Sequence, residues 1–232
     1  MKKQFFSSLL ILSCAFLQSC YDIDDNRRVL VIGSTGDRFG FPVEGIAVEA
    51  RGNSSVLGSA ISNENGNFEF TSLESTTEDF SIYINPEITG DTLYASPVYI
   101  NLDETSMPIG NRKNRRSQNL YDLGMVKLPK LAFFEIIINR STLQDTLTYT
   151  LEFPGIVCQN YFIEDKLDTM RSECFSLTQR SGTLLPGDQN LELGYRSLKD
   201  SAVVFSYHIN SAPTQQATIL LDKYSTRYVI DL

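Results

Sequence analysis

The chain has 232 residues, a formal net charge of −8, 42% hydrophobic and 11% aromatic residues, no Trp and one His. That much apolar side chain can build ordinary cores for about two modest domains, which excludes disorder along the whole length. The acidic balance argues against nucleic acid as a partner, because phosphates repel it.

The N-terminus reads Met-Lys-Lys, then an apolar run from Phe5 to Leu17, then Leu17-Gln18-Ser19-Cys20. A bilayer-spanning helix needs about 20 apolar residues, so this run is a secretory signal rather than a span. Its ending resembles the lipobox of bacterial lipoproteins. The resemblance implies cleavage before Cys20 and acylation of Cys20, leaving residues 1–19 as signal peptide and the lipid bilayer as a partner. Loss of Lys2 and Lys3 with the signal takes the net charge from −8 to −10. Residues 20–27 follow as a short acidic tether containing Asp22, Asp24 and Asp25. The tether resembles the export signal of Bacteroidetes-type surface lipoproteins. That likeness implies an outer-membrane protein, lipid-anchored and exposed at the cell surface.

Residues 28–128 read as short strands between turns. Val29-Leu30-Val31-Ile32 is an apolar run of strand length, and Ile46 to Arg51 alternates apolar and polar. Asn65-Gly66 marks a tight turn, since Gly takes positive φ freely. Phe68-Glu69-Phe70 then puts two rings on one face. Further strands are expected at Phe80–Ile84, Val98–Leu102 and Gly124–Leu128, and no segment carries a helical period. The turn Pro42-Val43-Glu44-Gly45, the small-residue strand Gly58-Ser59-Ala60-Ile61-Ser62 and the run Gly66-Asn67-Phe68-Glu69-Phe70 resemble the carboxypeptidase regulatory-like domains. That resemblance implies a transthyretin-like β-sandwich serving as an accessory module. A long insertion, Asp103 to Tyr121, interrupts the pattern. It carries Arg112, Lys113, Arg115 and Arg116, a dense basic cluster that could contact an anionic partner or be a solvated loop.

Pro129 marks the expected boundary, because proline ends a strand and favours an extended link. Residues 129–232 then read as a second β-sandwich, expected to be immunoglobulin- or fibronectin-like from about seven strands at turn-bounded spacing. Leu131 to Ile138 is apolar throughout, and Thr146 to Phe153 alternates with Thr outward and Leu, Tyr or Phe inward. No repeat relates the two halves in sequence. Cys158 and Cys174 are the two cysteines left in the mature chain. In an oxidising compartment they are expected to pair, closing a polar excursion between two strands. Free buried thiols are the alternative.

Chemistry is sparse. His208 lies on an expected strand, facing away from Phe205 and Tyr207. No nucleophile elbow, phosphate loop or dinucleotide fingerprint occurs, and one His with two Cys does not complete a zinc site without a carboxylate. The sequence therefore leads to an all-β chain of two consecutive sandwiches with no cofactor, metal or catalytic residue expected. As a non-catalytic lipoprotein it would serve as a structural or interaction module, with another envelope protein or a glycan as its partner. The alternative is a glycan-binding accessory lipoprotein of an outer-membrane polysaccharide-capture system, using rings such as Tyr161, Phe162, Tyr195, Tyr224 and Tyr228.

Overall fold

The computed structural model describes residues 27–52, 55–74, 80–87, 94–101, 119–141, 143–163 and 166–232. Cys20, the acidic tether up to residue 26 and the basic cluster of Arg112, Lys113, Arg115 and Arg116 lie outside the described residues.

The first half forms β1 (Arg27–Gly36), β2 (Ala47–Gly52), β3 (Ser55–Ile61), β4 (Asn67–Glu74), β5 (Phe80–Ile84), β6 (Val98–Asn101) and β7 (Leu120–Lys127). Alternation makes these strands. On β4, Phe68, Phe70, Ser72 and Glu74 point inward while their neighbours face solvent. One sheet has the order β4-β1-β7, and β2, β3, β5 and β6 share the other in the order β6-β5-β2-β3. Val29, Val31, Val48, Ile82, Ile84, Phe68, Phe80 and Leu128 fill the core between them. The Asn63–Asn67 turn closes as expected. Asn63 Oδ1 accepts from the N–H groups of Asn65 and Asn67 at 3.0 Å each, and Gly66 has φ of +76°. Among the described residues one charged side chain is buried. Glu74 is 2% exposed, paired with Arg27, and accepts a hydrogen bond from the Tyr121 hydroxyl, as a buried carboxylate requires.

The second half forms β8 (Leu131–Asn139), β9 (Leu147–Pro154), β10 (Cys158–Ile163), β11 (Lys166–Leu167), β12 (Glu173–Cys174), β13 (Leu177–Leu184), β14 (Leu191–Leu198), β15 (Ala202–Ile209), β16 (Gln215–Leu220) and β17 (Ser225–Asp231). Its sheets run β14-β8-β17 and β13-β9-β15-β16. Phe134, Ile136, Ile138, Leu147, Leu151, Phe153, Val203 and Phe205 form a separate core. The inward set on β9 is Leu147, Tyr149, Leu151 and Phe153, as the alternation predicts.

Set β10, β11 and β12 aside and the second half repeats the strand order of the first. In each, the fourth, first and seventh strands form one sheet, and the third, second, fifth and sixth form the other. The first and last strands pair in parallel in both, β1 with β7 and β8 with β17. The all-β sandwich expectation holds in both halves. In strand order the second sandwich differs from immunoglobulin domains, which put the first two strands in one sheet, whereas β8 and β9 lie in opposite sheets. Strand count and turn spacing are the same for either order, so the sequence pattern did not distinguish them.

The cores divide at the Pro129 link, but the sheets do not. β10 leaves the second sandwich and pairs in parallel with β6 of the first, Gln159 opposite Val98 through Phe162 opposite Asn101. It carries β11 and β12 with it, so one sheet runs through both halves. The two halves are therefore joined by a backbone ladder as well as by the link.

A candidate binding site at the waist

The expected disulfide is present. Cys158 and Cys174 face each other across β10 and β12, with Cα atoms 3.8 Å apart. It closes the root of the hairpin whose tip region extends the first sandwich. Tyr161 and Phe162 lie in this hairpin and are occupied internally. The Tyr161 hydroxyl donates to Gln159 Oε1 at 2.8 Å, and Phe162 stacks on Tyr99 with centroids 5.9 Å apart. Burial raises the Tyr99 phenol above its ordinary value. Tyr195 packs against Phe134 and Phe153. Of the rings singled out from sequence, Tyr224 and Tyr228 are exposed. His208 sits half-buried on β15 opposite Thr148. Among the described residues no group of three or more His, Cys, Asp or Glu gathers to hold a metal.

Sequence reading missed the place where charge and exposed rings converge, the junction between the sandwiches. Strand β1 ends at Gly36 and enters a five-residue turn, Asp37-Arg38-Phe39-Gly40-Phe41. Asp37 Oδ1 accepts from the N–H groups of Phe39 (2.8 Å) and Phe41 (3.0 Å). The Asp37 N–H donates to the Phe41 carbonyl, and Gly40 N–H donates to the Asp37 carbonyl. Gly40 takes φ of +90°, which that tight path requires. Four of the turn's five N–H groups are thus bonded within it, and it holds Phe39 and Phe41 out at 69% exposure each.

The turn reaches the second sandwich through Arg38, whose guanidinium lies 3.4 Å from Asp200 Oδ2. Asp200 tops the β14–β15 turn with φ of +62°, a left-handed position that Asp tolerates better than most residues. Its backbone N–H donates to the Leu221 carbonyl, which fixes the turn. Lys199 Nζ lies 2.9 Å from Asp200 Oδ1. Lys130, in the link, accepts the Lys199 N–H on its carbonyl at 2.8 Å. The hydrogen bond from Lys199 holds the Asp200 carboxyl below its ordinary value, and the charges of Lys199, Arg38 and Lys130 add to this.

Each of these cations also lies over a ring. Arg38 is 4.5 Å from the Phe39 centroid, Lys130 5.7 Å from Tyr94 and Lys199 5.8 Å from Tyr224. Two cations, Arg38 and Lys199, therefore meet at Asp200 with Lys130 beside them, and aromatic faces flank all three. Such an array can receive anionic groups and lay flat apolar faces on the rings. The nearby cleft of about 590 Å³ differs in character, being walled by Asn63, Asn67, Glu69 and Asp122.

No protein-family model matches the chain, and no curated protein does. Solved structures do match in part. A 9R-lipoxygenase from Cyanothece shares 16% identity over 48% of this chain and 18% of its own, with a TM-score of 0.26. The Bacillus anthracis TIE protein shares 7% over 88% of this chain and 34% of its own, with a TM-score of 0.32. A tip fimbrial protein from Porphyromonas gingivalis shares 11% over 83% of this chain and 82% of its own, with a TM-score of 0.29. The chain thus spans well under two thirds of the first two.

Proposed function

We propose that this chain is a non-catalytic lipoprotein, anchored in the outer membrane by acylated Cys20 and exposed at the cell surface as an interaction module. The observation that carries the reading is the N-terminal order of Lys2 and Lys3, a short apolar core, and Leu17-Gln18-Ser19-Cys20 directly before an acidic tether. Several acyl chains on one residue make release from a bilayer slow, whereas one chain binds only marginally. In this reading the first sandwich acts as the accessory module implied by its likeness to carboxypeptidase regulatory-like domains. The second sandwich, tied to it by β10, presents the interaction surface. Cys20→Ala tests the anchor. The variant should leave the detergent phase and appear as soluble periplasmic or secreted protein. Retention in the membrane fraction would overturn the lipoprotein reading. Labelling of intact cells with a membrane-impermeant amine reagent should modify the native chain, and an unlabelled chain would place it on the inner face.

A further inference from the structure

We propose that the waist is a binding site for acidic polysaccharide, with Arg38, Lys130 and Lys199 receiving the anionic groups and Phe39, Phe41 and Tyr224 receiving the sugar faces. The inference rests on the reading of this chain as an envelope interaction module and supplies its ligand class.

Three features lead to it. The first is charge. In a chain of net charge −8, Arg38 and Lys199 pair with Asp200 and Lys130 stands beside Lys199 in the link, three cations against the two carboxylates of Asp37 and Asp200. The positive charge left over is available to a ligand, and at a partly exposed site it attracts anions at short range. The second is the rings. Phe39 and Phe41 are each 69% exposed and Tyr224 is 41% exposed, beside the cations rather than apart from them. A pyranose has an apolar face to lay on a ring, and a uronic or sulfated sugar adds an anion at its rim. The third is preorganisation. The Asp37–Phe41 turn is closed by its own hydrogen bonds, so its two rings are held ready and little ordering is needed on binding.

The same observations disfavour other anionic partners. An extended peptide would be recognised through a strand edge, and the turn is not a strand and spends four of its five N–H groups internally. A lipid phosphate is disfavoured by position. The turn follows Gly36, at the opposite end of the ten-residue strand β1 from Arg27, roughly 30 Å from the end that leads to Cys20.

The site also needs both sandwiches. Arg38 comes from the first, Lys130 from the link, and Lys199 and Tyr224 from the second. The Arg38–Asp200 pair and the Lys199 N–H bond to the Lys130 carbonyl hold these parts together.

Binding of the purified full chain in detergent micelles to three probes tests the proposal. Polygalacturonate offers carboxylates, chondroitin sulfate adds sulfates, and dextran is uncharged. Binding to at least one polyanion is expected, weakening as salt rises, with dextran much weaker; which polyanion binds distinguishes a carboxylate from a sulfate preference. Arg38→Gln with Lys199→Gln should reduce affinity about tenfold or more. Phe39→Ser with Phe41→Ser should also reduce affinity but leave the salt dependence as it was. Phe39 and Phe41 are exposed, so that variant should keep its melting temperature, whereas loss of the two ion pairs to Asp200 should lower that of the Arg38 and Lys199 variant only slightly, with circular dichroism showing both still folded. Failure to bind either polyanion better than dextran would overturn the proposal. So would binding that survives both double variants but disappears when Arg112, Lys113, Arg115 and Arg116 are replaced by Gln, because that would put the contact in the basic cluster. Neither result bears on the anchor, which is read from fractionation of Cys20→Ala.

Discussion

In the first sandwich the sixth strand, β6, has four residues, and β10 lies along its outer edge. In the second, the sixth strand, β16, has six, and nothing among the described residues pairs with its outer edge. The strand order on either side is otherwise the same. The difference teaches that β10 is not demanded by the topology, since the second sandwich does without an equivalent. It is an addition that covers a short edge and ties two cores together. Edges left open are sites for pairing with other chains, and β16, with the sequence Gln-Gln-Ala-Thr-Ile-Leu, carries neither Lys nor Pro to blunt one.

The largest effect should come from testing whether the cores stay separate. Phe205 is fully buried in the second core, so Phe205→Ala should destabilise by about 4 kcal/mol. If the β10 ladder couples the sandwiches strongly, calorimetry will show one transition moving down. Two transitions, with only the upper or lower one displaced, would show that the ladder joins the halves without making them one cooperative unit.

Next come the equivalent turns. Gly66 lies between the third and fourth strands of the first sandwich, and Gly187 occupies the same place in the second. Both have positive φ, +76° and +92°. A Cβ on Gly66 would lie 2.3 Å from the Thr35 carbonyl oxygen, whereas one on Gly187 would meet nothing within 4 Å. Gly66→Ala should therefore lower stability by about 3 kcal/mol and Gly187→Ala by about 1 kcal/mol, measured by denaturant titration. Equal losses would mean that the Thr35 contact relaxes freely.

Cys158→Ser should lower stability by up to about 3 kcal/mol on the chain-entropy account of a loop of this size. Because β10 extends the first sandwich, hydrogen exchange should quicken along β6 and not only in the hairpin. Unchanged protection of Val98 to Ile100 would show that the ladder stands without the disulfide.

The smallest effects are those of pH, and they run in opposite directions. Glu135 has a raised value, first because Glu192 shares a hydrogen bond with it. The folded chain holds that proton more tightly, so the contribution is present below the ordinary carboxyl value and is lost as pH rises through the raised one. Asp200 has a lowered value, so its contribution is present above the ordinary carboxyl value and is lost as pH falls through the lowered one. Stability measured against pH for Glu192→Gln and Asp200→Asn should show two small, opposite changes. A same-signed pair would contradict the assignment.

The strands were legible because alternation is local. Leu147, Tyr149, Leu151 and Phe153 declare a buried face within eight residues. The turn at Gly66 and the pairing of Cys158 with Cys174 were legible for similar reasons, each resting on a few residues with a distinctive chemistry. What escaped was long-range. Nothing in Cys158 to Ile163 says that it will pair with Val98 to Asn101, because a parallel ladder leaves no mark on either segment. The likeness of the halves escaped for another reason, since strand order is set by which edges meet and not by which residues line them. At the waist, Arg38, Lys130 and Lys199 are far apart in sequence and meet only when the sandwiches are joined. One local signal was available there. Phe39 and Phe41 flank Gly40 in a turn-forming stretch, where rings have no core to enter.

In each sandwich the first strand runs parallel to the last, β1 beside β7 and β8 beside β17. A chain held at one end and pulled at the other would draw these neighbours in opposite directions along their length. The hydrogen bonds between them lie across that pull and share it together, so they cannot be opened one after another from an end. Each sandwich thus has the geometry of a mechanical clamp, in which rupture requires many bonds to fail at once.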